Sequence, residues 1–111
     1  TVREAQKRAF DVIRPGAVCR EVDAAARNYI YKEGYEGCFS HGLGHSVGVE
    51  VHENPRFNEV CGDRLIPGIV ITVEPGIYLK GKFGVRIEDM IVIRENGFEN
   101  LTNSPKELLI L

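Results

Sequence analysis

Three histidines, two glutamates and an arginine are the residues here whose types and spacing could do chemistry together. All the histidines fall within one short stretch, His41-Gly-Leu-Gly-His45-Ser-Val-Gly-Val-Glu-Val-His52-Glu53. Imidazole is the commonest metal ligand in proteins and titrates near neutrality. The intervening glycines let the backbone bend sharply and approach other groups closely. Glu74 follows the apolar run Ile69–Val73 and precedes Pro75-Gly76, a position that half-buries a carboxylate. Burying its charge is costly unless it is paired or bound to metal. Arg86-Ile87-Glu88-Asp89 opens another apolar run, Met90–Ile93, so its charges need partners as well. Alternation along a strand places Arg86 and Glu88 on one face and Val85, Ile87 and Asp89 on the other.

Taken singly, each feature has a plainer reading: histidines near a turn, a solvated strand-end glutamate, an Arg–Glu cross-pair of little energetic consequence. Taken together, one histidine and two glutamates on three strands make a hard, oxygen-rich ligand set without sulfur, suited to Mn²⁺, Fe²⁺, Co²⁺ or Zn²⁺. Such a set can hold one ion. A catalytic pair of ions about 3.5–4 Å apart needs more carboxylates to complete it. The residues alone therefore describe an incomplete metal site.

The elements that position these groups can be read from periodicity and turn signals. Val2, Ala5, Ala9, Val12 and Ile13 predict a helix from about Val2 to Ile13, closed by Pro15-Gly16. Val22, Ala25, Ala26, Tyr29 and Ile30 predict a second, from about Arg20 to Glu33, with Gly34 as its C-cap. The rest reads as strands and loops. His41–Gly48 is expected to be irregular or bulged, Val47–Val51 a short strand, and Asn54-Pro55 and Pro67-Gly68 turns. Ile69–Val73 is a β-branched strand ended by Pro75-Gly76. A hairpin around Gly81–Gly84 leads into one long strand, Val85–Arg94, covered on both faces; Asn96-Gly97 is a tight turn. Phe98–Leu101 and Leu108–Leu111 are expected to close the sheet. The fold class is α+β: two helices, then a mostly antiparallel sheet with the helices on one face.

Bulk properties narrow the classes of function. The chain has 111 residues with a formal net charge of −2, 14 basic and 16 acidic side chains interspersed. No basic tract points to nucleic acid or an anionic membrane as partner. No apolar run approaches a membrane span. Cys19, Cys38 and Cys61 are odd in number and widely spaced, and read as reduced thiols of a cytoplasmic protein. The chain opens on Thr1 with helical spacing already under way, as expected of a processed or truncated product.

Three motifs in register resemble the pita-bread metallopeptidases, the superfamily of methionine aminopeptidases and Xaa-Pro peptidases: residues 41–53, Val73-Glu-Pro-Gly-Ile-Tyr78, and Val85-Arg-Ile-Glu-Asp89. The paired histidines and the closing His-Glu of the first resemble the Xaa-Pro branch, aminopeptidase P and prolidase. Arg14-Pro15-Gly16-Ala17 and Glu21–Ala25 are similar to the segment that precedes these motifs.

The resemblance implies a metal-dependent exopeptidase acting on proline-containing peptides through a metal-activated water. It implies two divalent ions, manganese first and cobalt, iron or zinc as alternatives. His45 and Glu74 would bind one ion and Glu88 would bridge both. His52 would contact the substrate carbonyl or tetrahedral intermediate, His41 would line the substrate pocket, Arg86 would support the site by its charge, and Glu74 would shuttle the proton. Two further aspartate ligands belong upstream of the histidine. Here Asp11 and Asp23 lie on the helices and do not match that motif. The whole chain, 1–111, is thus expected to be the C-terminal part of a pita-bread catalytic domain, inactive without its other half. It should pair with that half, or dimerise or aggregate through the same apolar face when isolated. A homodimer is expected, without nucleic acid or membrane partners. The alternatives are a non-catalytic peptide- or protein-binding relative and a different hydrolase on the same fold.

Overall fold

In the computed structural model, residues 1–47 and 53–103 are described. Two helices, α1 (Val2–Val12) and α2 (Cys19–Ile30), precede seven strands: β1 (Gly44–Ser46), β2 (Glu53–Phe57), β3 (Val70–Val73), β4 (Gly76–Leu79), β5 (Phe83–Arg86), β6 (Asp89–Arg94) and β7 (Gly97–Asn100). Five form one sheet in the order β2-β1-β3-β6-β7, and β4 and β5 form a separate hairpin. Every strand pair is antiparallel. The α+β expectation holds.

The helices form because each carries an apolar stripe, and they persist because the stripes pack. Ala5 and Ala9 of α1 and Val22, Ala26 and Ile30 of α2 are fully buried, in one cluster with Ile71, Val73, Ile91 and Ile93 of the sheet. Those four alternate along β3 and β6, so a single sheet face receives both helices. Gln6 donates its amide to the Val73 carbonyl at 3.1 Å. Phe10 stacks on Phe98 with ring centroids 5.2 Å apart. α1 stops one residue early, because Ile13 is already extended. α2 starts one residue early, at Cys19, and its last turn widens to π-type over Tyr31–Tyr35. Gly34 ends it at φ 98°, the left-handed conformation for which glycine is suited. The buried face of α2 also differs from the apolar stripe: Asp23 and Arg27 are buried, whereas Ala25 and Tyr29 lie at its margin.

Three strand expectations need correction, while the bulge expected within His41–Gly48 is present, between His45 and Ser46 of β1, an interior strand. Its glycine permits the closeness that interior pairing demands: a Cβ on Gly44 would fall on the Thr72 carbonyl oxygen. The strand expected at Val47–Val51 falls, past Val47, outside the described residues. Asn54-Pro55 is not a turn; both residues lie in β2, an edge strand, where a proline without an N–H is tolerated. The Pro55 carbonyl instead accepts the Ser46 hydroxyl at 2.6 Å, beside a bulge between His45 and Ser46. Gly76 does not merely end a strand but opens β4. Last, Val85–Arg94 is two strands. β5 pairs with β4, β6 pairs with β3, and Ile87-Glu88 joins them, so the face alternation read across Arg86–Asp89 is broken. β6 is covered as expected, but β5 is exposed throughout. The tight turn expected at Asn96-Gly97 and the strand expected at Phe98–Leu101 each stand one residue earlier, with Gly97 already paired to Arg94 at the start of β7. Leu108–Leu111 lies outside the described residues.

The start of α2 is clipped to the loop before β3. Cys19 N–H donates to the Asp63 carbonyl at 2.9 Å, and Arg20 N–H to the Cys61 carbonyl at 2.8 Å. All three cysteines are free thiols. A helix N-terminus ordinarily lowers a thiol pKa. Here burial wins, and with the neighbouring Cys61 thiol it pushes Cys19 up to about 12. Cys19 is therefore protonated at pH 8 and shielded. Mass spectrometry after iodoacetamide treatment at that pH should find it unmodified in the native protein and alkylated after denaturation. Native labelling at Cys19 would contradict this.

Candidate functional site

A cleft of about 400 Å³ opens on the sheet end of the molecule. His41, His45, Glu74 and Arg86 line it, together with Arg56, Phe57 and Asn58 of β2 and its exit. Four of the six expected site residues are thus brought to one cleft. Glu88 is exposed on the Ile87-Glu88 link and does not line it. In that motif Asp89 is the buried carboxylate, accepting from the Asn100 amide at 2.8 Å. His52 lies outside the described residues. Among the described residues, no three His, Cys, Asp or Glu side chains are grouped closely enough to hold a metal ion.

His45 sits in the middle of the sheet end. Its N–H donates to Thr72 Oγ1 at 3.0 Å, and its register partner across β2 is Arg56. Glu74 follows β3 directly, and its N–H donates to the Leu43 carbonyl at 2.7 Å. The two side chains meet: His45 Nε2 stands 3.5 Å from Glu74 Oε2. That exceeds an ordinary N–H···O distance. Consistently, Glu74 Oε2 is buried and accepts no hydrogen bond among the described residues.

The tautomer follows from the other ring nitrogen. His45 Nδ1 lies 3.2 Å from the Ser46 carbonyl. A carbonyl can only accept, so Nδ1 carries the proton and a neutral ring leaves Nε2 with a lone pair. A carbonyl on the distal nitrogen is also the usual way a ligating histidine is oriented. Glu74 Oε2, which accepts no hydrogen bond among the described residues, thus faces His45 Nε2. Atoms each about 2.1 Å from a shared ion stand roughly 3–3.5 Å apart. The pair fits two ligands of a divalent ion.

His41 is held differently. Its Nδ1 meets the Gly42 carbonyl at 2.7 Å and its Nε2 meets the Tyr78 hydroxyl at 2.6 Å. By the same argument Nδ1 donates, and in the neutral ring Tyr78 donates to Nε2. Phe39 packs edge-on against the ring, centroids 5.0 Å apart. His41 therefore presents its ring at the cleft in a fixed orientation, with both nitrogens engaged. Sequence reasoning assigned nothing to Tyr78, although it closes the second motif, and nothing to Arg56, which carries no local signal. It also passed over Asp23 and Arg27, whose i,i+4 spacing on a helix face shared with Val22, Ala26 and Ile30 was the available clue.

Residues 1–95 match the model of metallopeptidase family M24. The chain belongs to that family. It is 49% identical over 108 residues to the Xaa-Pro dipeptidase of Pyrococcus furiosus, covering 97% of this chain and 31% of that protein. Among solved structures of M24-like architecture, the prolidase from Pyrococcus horikoshii OT3 matches with a TM-score of 0.93 at 49% identity, covering 97% of this chain and 31% of that one. The X-Pro aminopeptidase from Thermotoga maritima MSB8 matches with a TM-score of 0.93 at 44% identity, covering 99% and 31%. The chain thus spans 31% of the length of each of these relatives. Its two helices and antiparallel sheet have the pita-bread architecture that the motifs implied. M24 membership implies use of divalent metal. No helix among the described residues is long and apolar enough to cross a membrane.

Proposed function

We propose that this chain forms the C-terminal part of a pita-bread catalytic domain whose complete polypeptide is a metal-dependent exopeptidase hydrolysing Xaa-Pro bonds. The observation that carries the proposal is the buried Glu74 Oε2, which accepts no hydrogen bond among the described residues and faces His45 Nε2 at the cleft. An isolated structural carboxylate would be hydrogen-bonded or solvated. This one is held as a ligand would be. The names of the relatives supply the substrate class, peptides with proline in second position.

In this reading His45 and Glu74 would hold one divalent ion, and Glu88, two residues beyond the cleft-lining Arg86, would supply a further carboxylate to the metal pair. The remaining ligands come from chain outside these residues. The exposed Phe83 and Val85 of β5 support such a neighbour, since it would cover them; in its absence the same face would pair two copies, and the complete protein is taken to be a homodimer. When bound, a pair of divalent ions, manganese by preference, lowers the proton affinity of a water enough to make it a nucleophile at neutral pH. Glu74 takes up the proton and passes it to the leaving amine. His41 orients the substrate at the cleft wall, His52 donates to the carbonyl as negative charge develops on it, and Arg86 adds positive charge. Three free thiols support a reducing, cytoplasmic setting.

Chelation tests the proposal. Exhaustive dialysis of the complete polypeptide against EDTA should abolish hydrolysis of Xaa-Pro dipeptides, and Mn²⁺ or Co²⁺ should restore it. Activity that survives metal removal, or restored metal without proline-directed cleavage, would sink the assignment.

A further inference from the structure

The segment Phe39–Leu43 carries His41 and leads into β1, yet it lies outside every strand. Its backbone is held on one side by two side chains of α2. Arg27 donates Nη1–H to the Phe39 carbonyl at 2.8 Å and Nη2–H to the His41 carbonyl at 2.8 Å. Asp23 Oδ2 accepts the Leu43 N–H at 3.1 Å. Residues 39, 41 and 43 are thus read at alternate positions, as a neighbouring strand would read them. Asp23 and Arg27 are in turn bidentate: Nε to Oδ1 at 2.8 Å and Nη2 to Oδ2 at 3.1 Å. The guanidinium lies 4.3 Å from the centroid of the Phe39 ring, the same ring that packs on His41.

On the far side the segment faces the site. Cys38 accepts the Tyr78 N–H at 2.9 Å and Leu43 accepts the Glu74 N–H at 2.7 Å. Leu43 therefore passes one hydrogen-bonded line from Asp23 to the backbone of Glu74. Both α2 side chains are almost wholly buried, at 7% and 1% exposure. A buried ion pair is weak support for stability, because desolvation offsets the attraction. Its presence is explained by the three backbone groups it serves, which would otherwise be orphaned.

We propose that the Asp23–Arg27 pair is a positioning element of the active site and that Arg27 acts through His41. The proposal rests on the exopeptidase reading and deepens it. Arg27 does not touch the cleft. It fixes the carbonyls on either side of the His41 ring, so the ring meets Tyr78 in one orientation. Lysine keeps the charge but lacks the planar fork that reaches a carboxylate and two carbonyls at once.

The test is Arg27→Lys in the complete polypeptide. We expect kcat/KM on an Xaa-Pro dipeptide to fall about 10–100-fold, the scale of a roughly 1 Å misplacement. Bound Mn²⁺ should stay at its wild-type level, because Arg27 contacts neither His45 nor Glu74. Combined with His41→Ala, the loss should be no greater than with His41→Ala alone, within about twofold, since residues acting as one unit are not additive. Losses that multiply, or an unchanged kcat/KM, would overturn the proposal. The crystal structure of Arg27→Lys provides a readout that needs no activity. The His41–Tyr78 contact should be lost while β1–β3 pairing persists; a ring left in place overturns the proposal. A wild-type polypeptide that cleaves no Xaa-Pro substrate would defeat the exopeptidase reading instead, with the crystallographic arm still decisive. Should Arg27→Lys not fold, Asp23→Asn, whose single oxygen can serve Arg27 Nη2 and Leu43 but leaves Arg27 Nε facing an amide N–H₂, is read by the same kinetic and crystallographic criteria.

Discussion

Glu74→Gln in the complete polypeptide is expected to lower kcat/KM for Xaa-Pro hydrolysis at least about a thousandfold and, in chelator, to leave the melting temperature unchanged or raised. The first part follows from two roles lost together. Proton transfer by a positioned group contributes about 10²–10⁴-fold, and the substitution also removes a charged ligand facing His45. Metal analysis should show a matching loss of bound ion. The second part follows from the lack, among the described residues, of a hydrogen-bond donor to one carboxylate oxygen. Glu74 Oε2 is buried and accepts no hydrogen bond among the described residues. The side chain is only 13% exposed. A neutral amide of the same shape relieves the cost of burying a carboxylate there. The backbone N–H to Leu43, which holds the segment in place, is untouched.

The pairing of lost function with retained stability is what separates a ligand from a structural carboxylate. A structural carboxylate, when neutralised, leaves its donors unpaired and costs about 1–3 kcal/mol. Chelator must be present in the melting comparison, since ion binding itself stabilises the folded state. A variant with more than about a tenth of wild-type kcat/KM would contradict both the proton-shuttle and the ligand role. A clear fall in the apo melting temperature would mean that Glu74 has partners that the geometry gives no sign of.

Much of this was legible in the sequence, for identifiable reasons. The helices announced themselves because their stripes face a single layer, so periodicity and burial largely coincide in α1, while in α2 the buried face is rotated onto Asp23 and Arg27. The hairpin turn at Glu95-Asn96 and the strand after it were legible because turn chemistry is local. The misreadings share a cause too. Pro55 signals a turn locally, but an edge strand absorbs it. Val85–Arg94 looks like one strand because its apolar character is continuous, and nothing nearby reveals that two sheets divide it. In the site, His41, His45, Glu74 and Arg86 were legible because histidine clustering and a carboxylate after an apolar strand are unusual in themselves. Their convergence on one cleft is now visible, whereas Glu88 stands exposed outside it. Asp23 and Arg27 were missed because a charged pair at i,i+4 on a helix usually reads as a solvated face. Only the path of residues 39–43 across that face makes the pair matter.

Gly44→Ala tests how far the fold and the site depend on the same contact, and it is expected to damage both. β1 lies between β2 and β3, with Gly44 opposite Phe57 and Ser46 opposite Ile71. A methyl group on Gly44 would occupy the place of the Thr72 carbonyl oxygen and stand 3.1 Å from Thr72 Oγ1. Overpacking typically costs about 1–3 kcal/mol, and the obstacle here is backbone, which yields less than a side-chain tip, so about 3 kcal/mol is expected. For a polypeptide of the relatives' size, a thermal melt should then fall by roughly 4 °C. The matched control is Gly62→Ala, where the added atom meets only the flexible Arg20 guanidinium at 2.7 Å. Its cost should stay within about 0.5 kcal/mol. The strand can escape the clash only by moving away from β3. That motion stretches the His45 N–H bond to Thr72 Oγ1, 3.0 Å in the native chain, and carries the imidazole with it. Glu74 continues β3 while its N–H is held by the Leu43 carbonyl beside Gly44, so parting the strands strains that bond too and opens the 3.5 Å approach of the two side chains. At a temperature where the variant remains folded, divalent-ion affinity and kcat/KM should both drop by about 100-fold, the scale of a misplacement near 1 Å. A variant that melts like Gly62→Ala would show that β1 can shift without cost. One that melts early but binds the ion normally would show that the position of His45 is set by something other than the β1–β3 contact.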